Sequence, residues 1–157
     1  MIRIERIDRS HPLYGQSVEL RERVLLRPIG IDMDRLESLF PGSEARFEHF
    51  VAVVDHPKGD RVVGVVCLLA GEGSEGTGKL MQMAVDPQRQ REGIGRKLVV
   101  SLERRAFGEL GLRELFCHAR ADSVPFYEGL GWEAVEEPFD EAGIPHRKMV
   151  FRVEERV

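Results

Sequence analysis

The sequence predicts a single mixed α/β domain, a sheet flanked by helices. Three observations predict it: short β-rich runs along the whole chain, two segments with apolar residues at helical spacing, and Gly or Pro clusters between them. A chain of 157 residues suits one domain with a sizeable core, expected over residues 1–157, whereas two domains would each be small.

Residues 2–8 alternate apolar and charged side chains and open the chain as a strand. Residues 12–27 suit a helix, with Val18, Leu20, Val24 and Leu25 as an uneven apolar stripe. Pro28, Gly30 and Pro41-Gly42 punctuate a loop-rich stretch with room for a short helix around 33–40. Phe50–Val54 and Val62–Leu69 are β-rich and are joined by His56-Pro57-Lys58-Gly59-Asp60, a hairpin signal. The glycine-rich stretch Gly71–Gly78 reads as a flexible connection. Lys79–Asp86 is expected as a strand stopped by Pro87. Gly93–Leu110 is expected as a helix, since Leu98, Val99, Leu102 and Ala106 recur at spacings of three and four. Leu112–Ala119 follows as a strand, then a short helix capped by Asp122 or Ser123, with Pro125 near its start and its end around Gly129. Trp132–Val135 and Met149–Val153 close the chain as strands separated by a loop over Glu136–His146.

Composition narrows the function. Apolar residues make up 42% and charged residues 32%, ordinary values for a globular chain. No apolar run approaches the roughly 20 residues of a membrane span, and the amino terminus lacks a signal-type block. Cys67 and Cys117 sit in apolar strand-like runs and read as reduced core residues, so a cytoplasmic location is expected. A net charge of −4 gives no global case for nucleic-acid binding. His11, His49 and His56 are scattered without metal-ligand spacing and read as surface or capping residues, so no metal is expected. Ser17, Ser101 and Ser123 lack a Gly-x-Ser-x-Gly elbow. The acidic run Glu133, Glu136, Glu137, Asp140 and Glu141 reads as a solvated face, with attraction of a cationic amine as the alternative.

One local pattern stands out. Between Gln88 and Arg105, six basic residues (Arg89, Arg91, Arg96, Lys97, Arg104 and Arg105) face only Glu92 and Glu103. At its centre a strand runs through a turn with Gly93 and Gly95 into a helix. A helix start carries unpartnered N–H groups and partial positive charge, and glycine lets an anion approach that backbone. The turn is therefore a candidate pyrophosphate cradle. It does not fit the dinucleotide fingerprint, because Leu98 stands where the third small residue belongs. Gly73-x-x-x-x-Gly78-Lys79 imitates a P-loop, but Leu80 replaces the Ser or Thr, and a strand follows where a helix is needed.

Val85-Asp86-Pro87 followed by Gln90-x-x-Gly93-x-Gly95 resembles the signature of the GNAT superfamily of N-acetyltransferases. Pro125-Phe126-Tyr127-Glu128-Gly129-Leu130-Gly131-Trp132 is similar to that superfamily's Phe-Tyr-x-x-Leu-Gly-Phe element, with Trp in the last place. Leu20-Arg21-Glu22-Arg23-Val24-Leu25, His118-Ala119 and Gly143-Ile144-Pro145-His146-Arg147-Lys148-Met149 resemble a bacterial branch with a Gly-Ile-Pro-His-x-x-Met tail.

The resemblance implies a mixed, mostly antiparallel sheet of about six to seven strands whose central parallel strands splay to admit acetyl-coenzyme A. It implies acetyl transfer to a primary amine by direct attack in a ternary complex. The main chain of Met83, Ala84 and Val85 would meet the pantetheine arm, while Gln90, Arg91, Glu92, Gly93, Ile94, Gly95 and Arg96 would hold the pyrophosphate. Tyr127 aligns with the family's usual proton donor. Many members carry a glutamate base on the strand after the long helix; here Glu114 sits early in that strand and Leu115 stands nearest the expected place. His118 and His146 are therefore the better candidate bases because imidazole titrates near neutrality, with a water chain as the alternative to either. The acceptor, a small-molecule or peptide amine, would be chosen by residues 28–48 and 136–148. Analogy leaves room for a homodimer through the closing strands. The rival reading is a non-catalytic acyl-coenzyme A sensor, which would keep the turn and need no base.

Overall fold

The computed structural model describes residues 1–153. The element order is β1 (Ile2–Ile7), α1 (Tyr14–Arg21), α2 (Met33–Leu39), α3 (Ser43–Arg46), β2 (Glu48–Val54), β3 (Arg61–Ala70), β4 (Thr77–Val85), α4 (Ile94–Glu103), β5 (Glu114–Arg120), α5 (Val124–Glu128), β6 (Glu133–Glu141) and β7 (Ile144–Arg152). The strands form one seven-stranded sheet in the order β1-β2-β3-β4-β5-β7-β6. Every neighbouring pair is antiparallel except β4 and β5.

That exception positions the site. β4 and β5 pair in parallel only at Thr77–Lys79 against Glu114–Phe116, and beyond Lys79 they separate. On its other side β4 stays paired with β3 as far as Gly64 and Val85. An extra residue in β4 interrupts that register between Val65–Ala84 and Cys67–Met81, and Gln82 there has a φ of 55°. A β-bulge bends its strand and increases the local twist, which steers the end of β4 away from β5.

Two apolar layers cover the sheet. Leu80, Met83 and Val85 pack with Ile94, Leu98 and Leu102 of α4, together with Leu115, Cys117, Tyr127 and Met149. Met81 and Ala84 pack on the opposite face with Leu20 of α1 and with Val51, Val65 and Cys67. α4 lies unusually close to β3 because Gly64 has no Cβ; one built there would stand 2.7 Å from Ile94 Cγ2 and 2.9 Å from Leu98 Cδ1.

Several expected boundaries shift. The helix expected over 12–27 is α1, a π turn at Glu22–Leu26 and a 3-10 turn at Arg27–Ile29, stopped by Gly30 at φ 79°. The long helix begins at Ile94 and passes into a π turn over Arg104–Glu109. Thr77 and Gly78, expected in the flexible connection, belong to β4. Ser123 is the N-cap of α5 but makes no side-chain capping bond. The largest correction concerns Glu136–His146. It is no loop: β6 and β7 form a long hairpin through it, turning at Ala142 (φ 52°) and Gly143 (φ 75°). Two successive positive φ values match the right-handed twist of a tight hairpin. Pro138 and the acidic side chains are tolerated because β6 is a sheet edge.

His49 is also corrected. It is 1% exposed, with Nδ1 3.3 Å from Cys67 Sγ. Beside it Arg21, fully buried, makes a two-pronged ion pair with Glu44 that includes Nη1–Oε2 at 3.0 Å, and the Tyr14 phenol donates to the same carboxylate at 2.6 Å. This cluster ties α3 to α1. His11 and His56 do cap turns, accepting from the N–H groups of Leu13 and Lys58. Among the described residues no helix is long and apolar enough to cross a membrane.

Candidate active site

Where β4 and β5 part, a cleft of about 1280 Å³ opens. Its lining includes Met81, Ala84 and Leu25 from the α1 face and Met83, Ile94 and Tyr127 from the α4 face, so it passes through the sheet. Every residue of the expected binding and catalytic set lines it except Glu92, whose carboxylate is turned to Arg89 at 3.2 Å.

The glycine turn forms one end of the cleft. Asp86 accepts from Gln88 N–H and caps a 3-10 turn at Pro87–Arg89. Gln90 then donates its side-chain amide to the Val85 carbonyl at 3.2 Å. Arg91 (φ 68°) and Gly93 (φ 78°) reverse the chain, and α4 begins at Ile94. The first N–H groups of α4 have no partners within the helix, and Arg91 and Arg96 flank the same opening. A Cβ on Gly95 would come within 3.2 Å of the Phe126 ring, so Gly95 allows α5 to close against this turn.

Tyr127 projects from α5 toward β5. It is 5% exposed, packs edge-on to Phe126 and lies 5.4 Å from the Trp132 ring. Trp132, the departure at the end of the Phe-Tyr element, is fixed by its indole N–H donating to Glu103 at 2.9 Å. Burial, together with the adjacent Cys117 thiol, pushes the Tyr127 phenol well above its ordinary value of 10, so it remains protonated. Burial likewise raises the Cys117 thiol to about 12, keeping it a neutral neighbour.

The imidazoles lie on the other face. Leu115, Cys117 and Ala119 belong to the α4 layer, and strand alternation turns Phe116 and His118 to the α1 face. In β7, Met149 points to α4, so Lys148 and His146 share the α1 face with His118. Glu141, at the end of β6, reaches both histidines. Its Oε1 is 3.2 Å from His118 Nδ1, and its Oε2 is 3.6 Å from His146 Nε2. His146 Nδ1 lies 2.7 Å from the Ile144 carbonyl and therefore carries a proton. Phe139 packs edge-on to His118 and stacks on His146. Burial, then the Lys79 ammonium, holds the His118 imidazole below 6.5, and the hydrogen bond to Glu141 only partly opposes this. With Nδ1–H donating to Glu141, Nε2 keeps its lone pair.

The comparisons with known proteins bear on the family and the fold. The family model for the acetyltransferase (GNAT) domain matches residues 42–153. The chain belongs to the GNAT acetyltransferase family. Among solved structures it is similar to Escherichia coli ElaA, with a TM-score of 0.77 and 18% identity over 96% of this chain and 99% of that one. A GNAT-family acetyltransferase from Staphylococcus aureus Mu50 superposes with a TM-score of 0.75 and 18% identity, over 98% and 100%. At such identities these likenesses speak for the fold. Among curated proteins, UPF0039 protein sll0451 of Synechocystis is 36% identical over 61 residues, 39% of this chain and 40% of that protein. A Bacillus subtilis (strain 168) protein named as an inferred acetyltransferase is 34% identical over 70 residues, 45% and 47% of the two chains. The matches thus span less than half the length of these curated relatives.

Sequence reasoning missed Gln82 and named Glu141 only as one member of an acidic run, without its histidine partners. A bulge has no composition signal in Lys79–Val85, although the buried Gln82 Oε1 has no hydrogen-bond partner in the structure. Glu141 was hidden in an acidic run; the Ala142-Gly143 pair was the signal that would have placed it on a hairpin beside His146.

Proposed function

We propose that this protein, over residues 1–157, is a cytoplasmic acetyl-coenzyme A-dependent N-acetyltransferase acting on a primary amine. The observation that carries the reading is the placement of a buried phenol and a neutral imidazole on opposite faces of the sheet, with an unpaired strand edge between them. A donor entering from the α4 face has its pyrophosphate at the amides of Gly93, Ile94 and Gly95 and its pantetheine along the β4 main chain at Met83–Val85. That route leads toward Tyr127. Acetyl-coenzyme A supplies the activated acyl carbon.

The residues of the chain do the rest. The acceptor approaches His118 from the α1 face as an ammonium ion, since alkylamines have pKa values of about 10. His118 Nε2 removes one proton, while Glu141 holds Nδ1–H and so fixes the tautomer. The freed nitrogen bonds to the thioester carbonyl carbon, the C–S bond breaks, and Tyr127 Oη protonates the departing sulfur. The second proton shed by the nitrogen restores that of Tyr127 by way of solvent. General acid and base groups of this kind each contribute about 10²–10⁴-fold.

Coenzyme A release from acetyl-coenzyme A, followed with a thiol reagent across a panel of primary amines, tests the reading. Amine-dependent release supports it. Stabilisation by acetyl-coenzyme A in a thermal-shift assay without turnover of any amine would replace it with the acyl-coenzyme A sensor.

A further inference from the structure

We propose that the acceptor is an amphiphilic amine, with an alkyl or aryl body attached to its ammonium group. The inference rests on the amine-acetylating reading above and names the substrate class of that site.

The two sides of the cleft differ in character on the α1 face. One side carries the Glu141 carboxylate between two imidazoles, a partner for an ammonium ion. The other, from the end of α1 to α3, presents Ile29, Leu36, Leu39 and Phe40 to the cleft. Ile29 is 37% exposed, Leu39 47% and Phe40 56%, three of the seven large exposed apolar side chains among the described residues. Apolar side chains exposed singly are ordinary, but a contiguous set at a cleft marks a binding surface.

Helix α2 makes the point directly. It is amphipathic, with Leu36 and Leu39 one turn apart and acidic side chains between and before them. Asp32 caps its start by accepting from Arg35 N–H at 2.8 Å, and Glu37 accepts from Gly42 N–H at 2.8 Å beyond its end, so it is locally well specified. Yet none of its residues is buried. Its apolar side is turned to the cleft instead of the core. A sugar amine or polyamine would lay hydroxyl or ammonium groups against these side chains and lose their hydration without replacement bonds. An alkyl or aryl body removes apolar surface from water on both sides.

The test is a chain-length series from butylamine to octylamine, with phenethylamine, spermidine and kanamycin, at saturating acetyl-coenzyme A. The expected kcat/KM rises about threefold per methylene, mainly through KM, and spermidine and kanamycin do no better than butylamine. A Leu39→Ser/Phe40→Ser variant alters two exposed positions; it is expected to keep its melting temperature and to flatten the series. Calorimetric titration of the same amines into protein loaded with coenzyme A should show the same slope, and this arm decides the inference even if no amine is turned over. A flat series in the natural protein, or an unchanged slope in the variant, overturns the proposal.

Discussion

Replacing Tyr127 by Phe removes one oxygen atom and leaves the ring, so the packing on Phe126 and Trp132 survives. The lost phenol has two contributions that can be weighed separately. Its neighbour is the Cys117 thiol, a weak partner, and an ordinary intramolecular hydrogen bond contributes about 1 kcal/mol. For a chain of this length that is a fall in melting temperature of about 2–4 °C. As the general acid of the proposed mechanism, its catalytic contribution would be larger. A general acid adds about 10²–10⁴-fold, or roughly 3–5 kcal/mol of transition-state stabilisation. The Tyr127→Phe variant should therefore lose at least about 100-fold in the acetyl-transfer rate. Affinity for acetyl-coenzyme A should stay nearly constant, since the turn at Gln90–Arg96 is untouched. The right assay is single-turnover transfer by rapid quench, which isolates chemistry from product release, with coenzyme A affinity measured calorimetrically. The phenol titrates well above 10, so no basic limb below that pH should belong to it. A single-turnover rate within about threefold of the natural protein's, far less than general acid catalysis supplies, would refute the assignment of Tyr127 as acid.

Four further expectations concern other parts of the molecule. The acid limb of kcat/KM should fall below pH 6.5, because His118 is depressed by burial and then by Lys79. Glu141→Gln should move that limb to lower pH by removing the charge that favours imidazolium, and Lys79→Met should move it higher; shifts in the opposite directions would exclude His118 as the base. Arg21→Met leaves Glu44 buried without its cation, which should cost about 3–5 kcal/mol, read as a large drop in denaturant midpoint. The natural protein should also lose stability as pH falls below 6.5. Burial keeps His49 depressed in the fold, so the unfolded chain takes up the proton first; equilibrium denaturation at pH 7.5 and 5.5 would show it, and equal stabilities would contradict it. Gly64→Ala would force a Cβ against Ile94 and Leu98, with a cost of about 1–3 kcal/mol, and should weaken coenzyme A binding because Ile94 opens α4. Unchanged affinity would mean that the turn does not depend on the seating of α4.

The glycine turn was legible because its chemistry is local: a strand, two glycines and a helix start lie within a few residues of each other. The same holds for α5, whose Pro125 and Tyr127 belong to one short element. The imidazole side was only half legible. Parity along Leu112–Ala119 could separate His118 from the core positions, but its partner lies 23 residues away across two strand pairings. The polar sequence Glu136-Glu137-Pro138 discouraged a strand reading, because edge-strand pairing tolerates residues that β-propensity disfavours. His49 misled for a related reason. Its burial depends on Arg21, Glu44 and Cys67, which converge only when α1, α3 and two strands have assembled. The splaying of β4 from β5 was expected from likeness alone; its physical cause, the bulge at Gln82, is a backbone property that residue types did not announce.

A cleft that pierces the sheet also fixes the traffic through the protein. If donor and acceptor arrive from opposite faces, neither stands in the other's exit, and the free thiol and the acetylated amine can leave independently. A molecule joining the two substrates through the sulfur behaves differently: it has to lie across the sheet in the gap beyond Lys79 and Phe116, where β4 and β5 have parted. Such a tether would load slowly and unload more slowly still. It would make a gauge of how far these two strands breathe apart, and its residence time would report a motion that neither separate substrate requires.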